Sequence, residues 1–274
     1  MDTLKQNFDN TVRQRFGQTI EALESAFKFF NLDYYLIGAF VREVWTDHVT
    51  GLPVKRATND LDFAIYINKL DQYDNLKVHL VEKEKFTLSA EPYRILSPNG
   101  GIVDLIPFGS IENNNEVELN GVKPFKLSVF GTREVTENAR IIEGNFKVIT
   151  LPGLCIMKLI SWNESPGRQK DIDDFYYVLL NYSNIVEDNL FQDENLTLLE
   201  QYDDMRIVGA KILGREMNQI IDSSSTLKSQ LREILHSLLQ KFKHEDIDQM
   251  FKEDNKDIHI VKLKLVKELL DSEG

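Results

Sequence analysis

The chain has 274 residues, 42% of them hydrophobic and 28% charged, an ordinary globular balance with enough length to bury one large core or two modest ones. Its 44 acidic against 32 basic side chains give a net charge of −12, which weighs against a broad, sequence-independent grip on nucleic acid, because such a grip depends on Lys and Arg neutralising phosphates. No apolar run approaches the roughly 20 residues that span a bilayer, and the N-terminus carries no charged-then-apolar signal pattern, so a cytoplasmic protein with no membrane partner is expected.

In chain order, residues Thr3 to Phe30 read as one amphipathic helix, with Leu4, Phe8, Val12, Phe16, Ile20, Leu23 and Phe27 spaced by three and four and with Thr3 and Gln6 set for a capping box. Tyr34 to Ile37 is the first core strand. It breaks at Gly38-Ala39 and runs into a helix reaching about His48, the kind of turn that offers backbone amides to a phosphate. Arg42 and Glu43 in that helix are either solvated or paired with neighbours, or Arg42 turns to the same phosphate. A loop over Val49 to Ala57 contains Gly51-Leu52-Pro53.

The next stretch, Arg56 to Ile67, begins polar and becomes a strand in which Asp60 and Asp62 alternate with Leu61 and Phe63. Side chains two apart in a strand share a face, so the two carboxylates stand together and repel. Aspartate is also a poor strand former, so the pair costs stability unless a cation sits between them, and a divalent metal is the natural candidate. The plainer reading is a solvated strand end. After a polar helix from Leu70 to about Lys83 and a short strand Tyr93 to Leu96, Pro98-Asn99-Gly100-Gly101 supplies turn residues. The following strand, Gly101 to Phe108, should therefore return antiparallel as a hairpin, with Asp104 alone at its apolar centre. Asn113-Asn114-Asn115 is a loop, Glu116 to Leu119 a small strand, and Phe146 to Thr150 the last strand of the first half.

Patterning turns helical near Leu151, so two domains are expected, 1–150 and 151–274. Pro152 stands at the start of a helix whose apolar face is Leu154, Cys155, Leu159 and Trp162. Cys155, the single cysteine, reads as core filler. Lys158 lies inside that apolar stripe, where it either snorkels to the surface or projects into a cleft toward an anion. A loop through Ser165, Pro166, Gly167, Arg168 and Lys170 leads into a helix carrying Asp171 and Asp174 and packing through Ile172, Phe175, Tyr176 and Leu179; Ser165 and the early acids read as caps. Further helices are expected over Met205 to Ile221, near Thr226 to Phe242, and over Ile258 to Leu270.

The glycine turn, the Asp60-Leu61-Asp62 strand and the third carboxylate at Asp104 together resemble the catalytic core of the DNA polymerase β-like nucleotidyltransferase superfamily. Gly38, Thr58, Asp60, Asp62, Lys158, Leu159, Arg168, Lys170, Asp171 and Asp174, in that order, look like the AbiEii/AbiGii-type group, which includes toxins of toxin-antitoxin pairs. Gly38-Ala39-Phe40-Val41-Arg42-Glu43 also resembles the turn of tRNA CCA-adding enzymes, without their downstream nucleotide-selecting motifs. The chain departs from these patterns at Ala39, where glycine or serine is usual, in the long interval from Gly38 to Asp60, and at Glu164-Ser165, where relatives often carry a basic residue.

The resemblance implies an α+β fold, a nucleotidyltransferase-type mixed sheet flanked by helices, followed by a helical C-terminal half that completes the active-site cleft. It implies a Mg²⁺-dependent nucleotidyltransferase that moves a nucleoside monophosphate from a nucleoside triphosphate to an acceptor hydroxyl on a tRNA 3′ end, a protein or a small molecule, releasing pyrophosphate, with an antitoxin as a further partner. Asp60, Asp62 and Asp104 would hold two Mg²⁺ ions. Gly38, Ala39, Arg42, Thr58, Lys158, Arg168 and Lys170 would contact the nucleotide, and Asp171 would orient Lys158 or aid deprotonation of the acceptor. The other readings are a non-catalytic module that keeps the fold for binding or regulation, and a metal-dependent phosphate-ester hydrolase.

Overall fold

The computed structural model describes residues 3–53, 58–121, 124–244 and 253–272. The expected loop residues 54–57, including Arg56 and Ala57, lie outside them. The fold is α+β, a mixed sheet with flanking helices followed by a helical C-terminal half. The chain forms two compact units, Met1–Leu154 and Cys155–Gly274.

The first unit is built on a seven-stranded sheet in the order β3-β4-β5-β2-β1-β9-β8. Its strands are β1 (Tyr34–Ile37), β2 (Asp60–Ile67), β3 (Thr87–Leu88), β4 (Arg94–Leu96), β5 (Ile102–Gly109), β8 (Arg140–Glu143) and β9 (Phe146–Val148). β2 pairs antiparallel with β1 and parallel with β5, and β1 pairs parallel with β9. β6 (Glu116–Leu119) and β7 (Phe125–Ser128) form a separate two-stranded ribbon.

Alternation along β2 divides the faces. Leu61, Phe63, Ile65 and Ile67 are fully buried, and with Tyr34 and Leu36 they form one side. There Phe8, Phe27, Tyr34, Phe63 and Phe146 pack ring against ring, Phe8 on Phe146 and Phe27 on Tyr34 both at 4.5 Å between centroids. Aromatic edges and faces attract beyond their area burial, so this cluster ties the N-terminal helices to three strands. Asp60, Asp62 and Tyr66 lie on the other side, each only partly buried.

The expected single helix over Thr3 to Phe30 is broken in two places. α1 (Thr3–Phe8) passes through a π-helical turn, Asp9–Arg13, into α2 (Gln14–Phe29), and Phe16 leaves helical geometry at φ −128°, ψ 20°. The π turn widens the spacing by one residue. Phe8, Val12, Ile20, Leu23 and Phe27 still reach the core, while Leu4 and Phe16 are only half-buried. α3 (Ala39–Thr46) and α4 (Leu70–Glu82) stand where the sequence puts them, and α5 (Thr132–Glu137) is additional.

The helical half begins with α6 (Leu151–Glu164), in which Pro152 is the second helical residue, followed by α7 (Gln169–Ile185). Ser165 does not cap α7: Arg168 is the N-cap residue, and the loop closes through the Arg168 amide donating to the Ser165 carbonyl at 2.9 Å. α8 (Glu187–Leu190) and α9 (Asp193–Gln201) lead to α10 (Met205–Ile221), which Asp204 caps by accepting from the Arg206 amide at 3.0 Å. α11 (Ser225–His244) and α12 (Glu253–Leu270) complete the unit. Small residues let α10 approach closely. A Cβ on Gly209 would lie 2.6 Å from the Ser183 backbone nitrogen, and one on Gly214 would lie 2.7 Å from the Leu269 carbonyl oxygen.

Candidate functional site

The geometry at the head of β1 depends on Gly38. Its backbone, φ 74° and ψ −161°, lies where side-chain-bearing residues are strongly disfavoured. A Cβ at this position would stand 2.0 Å from Asp62 Oδ2 and 2.6 Å from its Cγ. Both the dihedral and the space therefore require glycine. Register explains the approach, since Ile37 pairs with Asp62 across the antiparallel β1-β2 ladder and the chain turns immediately afterwards into α3. At the first turn of α3 the Val41 amide donates to the Gly38 carbonyl at 3.3 Å, and the Asp62 carboxylate packs against the same turn. Ala39 opens that helix and Arg42, from its second turn, is buried.

Asp60 and Asp62 share a face, and the β2-β5 register sets Asp104 directly beside Asp62. Antiparallel pairing of β4 with β5 sets Arg94 beside Asp104 in turn. One rung across three strands thus reads Arg94, Asp104, Asp62. Arg94 clamps Asp104 from both nitrogens, Nε to Oδ1 at 2.7 Å and Nη2 to Oδ2 at 2.8 Å, while Asp104 is only 7% exposed. Hydrogen bonding to Asp104 raises the guanidinium pKa against the opposing effect of burial, so Arg94 is a fixed positive charge. Among the described residues, no group of three or more His, Cys, Asp or Glu side chains is placed to hold a metal ion.

The approach to Asp60 is pinned by a residue that sequence reasoning passed over. Arg15, in the broken α2, donates to the Thr58 carbonyl, to Asn59 Oδ1 at 3.2 Å and to Glu43 Oε2 at 3.0 Å, with its guanidinium 4.9 Å from the Phe40 ring centroid. It joins α2, α3 and the start of β2. Thr58 Oγ1 accepts weakly from the Asp60 amide at 3.4 Å. Glu43 has its pKa raised by burial, against the pull of Arg15 and Arg42. Nothing in the local sequence marks Arg15 as the partner of a segment some forty residues away. Arg94 was more accessible to inference, because a tight hairpin centred on the predicted Pro98–Gly101 turn places it opposite Asp104.

In the second unit, Lys158 neither snorkels nor stands free. It extends from the apolar face of α6, between buried Leu154 and Trp162, to Asp171 Oδ1 at 2.7 Å and Asp174 Oδ2 at 3.1 Å on α7. The two acids are three apart and share a helix face. Burial alone would lower the lysine pKa, but Asp174 and Asp171 outweigh it and raise the value above the ordinary one. Arg168 Nε sits 2.7 Å from Asp171 Oδ2 as an ion pair without hydrogen-bond alignment, and its side chain is largely exposed, as is Lys170. Cys155 is fully buried, its thiol pKa pushed far up by desolvation, which leaves it inert as a nucleophile.

No protein-family profile matches the chain, and no curated protein matches it in sequence. Among solved structures, the solution structure of the antibiotic-resistance factor ANT(2″)-Ia aligns at 13% identity over 66% of this chain and 94% of that one, with a TM-score of 0.37. No described helix is long and apolar enough to cross a membrane.

Proposed function

We propose that the chain is a nucleotidyltransferase that transfers a nucleoside monophosphate from a nucleoside triphosphate to an acceptor hydroxyl. The observation that carries this reading is the glycine-only turn at Gly38, pressed against the carboxylate of Asp62 at the N-terminus of α3. A turn without a side chain brings an acidic strand against the N-terminus of a helix, and the backbone amides of such a terminus are donors suited to phosphate oxygens.

The donor set fits a hard divalent cation, with two carboxylates on one strand face and no sulfur or imidazole among them. Asp60 and Asp62 would hold Mg²⁺, which when bound supplies positive charge to the phosphate oxygens. Gly38 and Ala39 present the amides that orient the triphosphate, and Arg42 adds charge from the same helix. Thr58 and Arg15 hold the start of β2 so that Asp60 keeps its place. The resemblance to the AbiEii/AbiGii-type group makes Lys158, Arg168, Lys170 and Asp171 the further candidate residues of the second unit, where Asp171 and Asp174 hold Lys158. Positioning and electrostatics do most of the work in such transfers.

A second reading, a non-catalytic module of the same fold, draws support from Arg94, which takes up both oxygens of the third carboxylate. Incubating the protein with Mg²⁺, each labelled nucleoside triphosphate and a cell extract discriminates the two. A labelled tRNA, protein or metabolite, lost in the D60N/D62N variant, supports the enzyme. No labelling, and no stabilisation of the protein by any nucleotide, supports the module. Co-expression with neighbouring genes, followed by growth measurement, tests the toxin role.

A further inference from the structure

We propose that the cleft at the break in α2 is a nucleobase pocket, built beside the segment that leads into Asp60. The choice of ligand deepens the nucleotidyltransferase reading and rests on it. The cleft has a volume of about 400 Å³, within the roughly 300–1,000 Å³ of small-molecule sites. One continuous stretch, Arg13 to Thr19, lines it, and Ser97, Asn99 and Gly101 of the β4-β5 hairpin complete the wall. In a regular helix successive side chains turn by about 100°, so neighbours in sequence cannot all face one cavity. Here they do, because the π turn and the non-helical Phe16 bend the chain around the space.

The chemistry of the wall selects the ligand. Arg13 and Arg15 do not make it an anion site, because Arg13 is paired with Asp9, Glu24 and Glu143, and Arg15 with Glu43. What remains is an aromatic ring and neutral groups that donate and accept. Phe16 is half-buried, and a Cβ on Gly101 would lie 3.8 Å from its Cε1, so glycine there keeps the ring edge clear. Gln14, Gln18 and Asn99 carry amides, and Asn99 Nδ2 donates to Gln18 Oε1 at 3.2 Å between the two walls. Thr19 points the same way: it is only 5% exposed, it lines the cleft, and its hydroxyl has no hydrogen-bond partner among the described residues. A buried hydroxyl without a partner costs free energy, which a ligand that bonds it offsets. A flat heterocycle with donors and acceptors on its edge meets the amides and the hydroxyl together and lies against Phe16. The Arg15 guanidinium that walls the cleft also donates to the Thr58 carbonyl and to Asn59 Oδ1, so occupancy steadies the two residues before Asp60.

The test titrates the full chain, without metal, with adenosine, guanosine, cytidine and uridine in turn, following backbone amide shifts by nuclear magnetic resonance. The variants are T19V, which removes the hydroxyl at nearly constant shape, and G17L, whose Cβ meets no atom within 4 Å and whose longer side chain occupies the cleft. The expected result is that at least one nucleoside shifts the Gly17, Thr19 and Gly101 amides. Its affinity should fall about tenfold or more in G17L and about three- to tenfold in T19V, the loss of one hydrogen bond, with circular dichroism unchanged in both. Repeating the titration with nucleoside triphosphates and Mg²⁺ tells whose base it is: a parallel loss in G17L assigns the pocket to the donor nucleotide, and an unchanged triphosphate affinity assigns it to a nucleotide acceptor. No nucleoside shifting these amides at millimolar concentration, or an affinity unaltered in both variants, would overturn the pocket, and labelling of an acceptor that depends on Asp60 and Asp62 would then leave the enzyme reading standing without it. Nucleoside binding in the cleft with no labelling of any acceptor would keep the pocket and support the non-catalytic module.

Discussion

Replacing Gly38 with alanine probes the contact on which the site is built. The cost has two separable parts. Forcing a side-chain-bearing residue to φ 74°, ψ −161° costs about 1–3 kcal/mol of backbone strain. Inserting a Cβ where Asp62 Oδ2, Cγ and Cβ lie at 2.0, 2.6 and 2.8 Å costs about another 1–3 kcal/mol of overpacking, because the whole acid side chain has to shift and not merely its tip. G38A should therefore lose about 2–6 kcal/mol in urea unfolding. In a D62G background only the backbone part remains, so the two changes should couple by about 1–3 kcal/mol. Unfolding of wild type, both single variants and the double variant, followed by far-ultraviolet circular dichroism, gives the cycle. A coupling below about 0.5 kcal/mol, the range of independent sites, would refute the close approach of turn and carboxylate.

Truncating Arg94 to alanine should destabilise the fold by about 3–5 kcal/mol, because it strands the Asp104 charge in a mostly buried place, and R94Q/D104N should recover most of the loss; matched denaturant curves check this. K158M should behave similarly in the second unit, leaving buried Asp171 and Asp174 short of a cation. The lysine pKa is raised on folding, so its stabilisation is complete below the ordinary value of 10.5 and is lost as pH rises through the folded value; wild-type stability should fall above pH 10.5, and K158M should lose that part of the fall. R15A should cost about 1–2 kcal/mol by urea unfolding and speed hydrogen exchange at the Asp60 amide, since three hydrogen bonds to side chains and backbone go with it. G209A should lower the melting temperature of the helical half, since its methyl would meet the Ser183 backbone, which cannot turn aside as a side chain can.

Strand faces and turns were legible in the sequence because they depend on local rules. The alternation in β2 put Asp60 and Asp62 together, Pro98–Gly101 closed the β4-β5 hairpin, and the Gly38 break preceded a helix, all from residues adjacent in the chain. β3, two residues long and exposed, offered no periodicity, β7 and β8 bury at most one side chain each, and α5 has only six residues. The break in the first helix was hidden, because its apolar spacing fits an unbroken α-helix nearly as well as one with a π turn. The ion pairs that define the rung and the Lys158 cluster needed register or helix packing to be known first. A sequence shows which charges exist, but the fold decides which of them meet.

The sheet order also has a consequence for the nascent chain. β1 is central, yet its parallel partner β9 follows more than a hundred residues later, Tyr35 pairing with Lys147 and Leu36 with Val148. At a synthesis rate of about 5–20 residues per second, β1 and β2 can zip together while the opposite edge of β1 stays open for roughly 5–20 seconds. For that interval Tyr34–Ile37 presents unpaired backbone to any other strand in reach, including the same segment on the next ribosome of a polysome. The brevity of β1, four residues, limits what an intruding strand can gain there, and the N-terminal helices, already synthesised, are available to shield its aromatic face until β9 arrives.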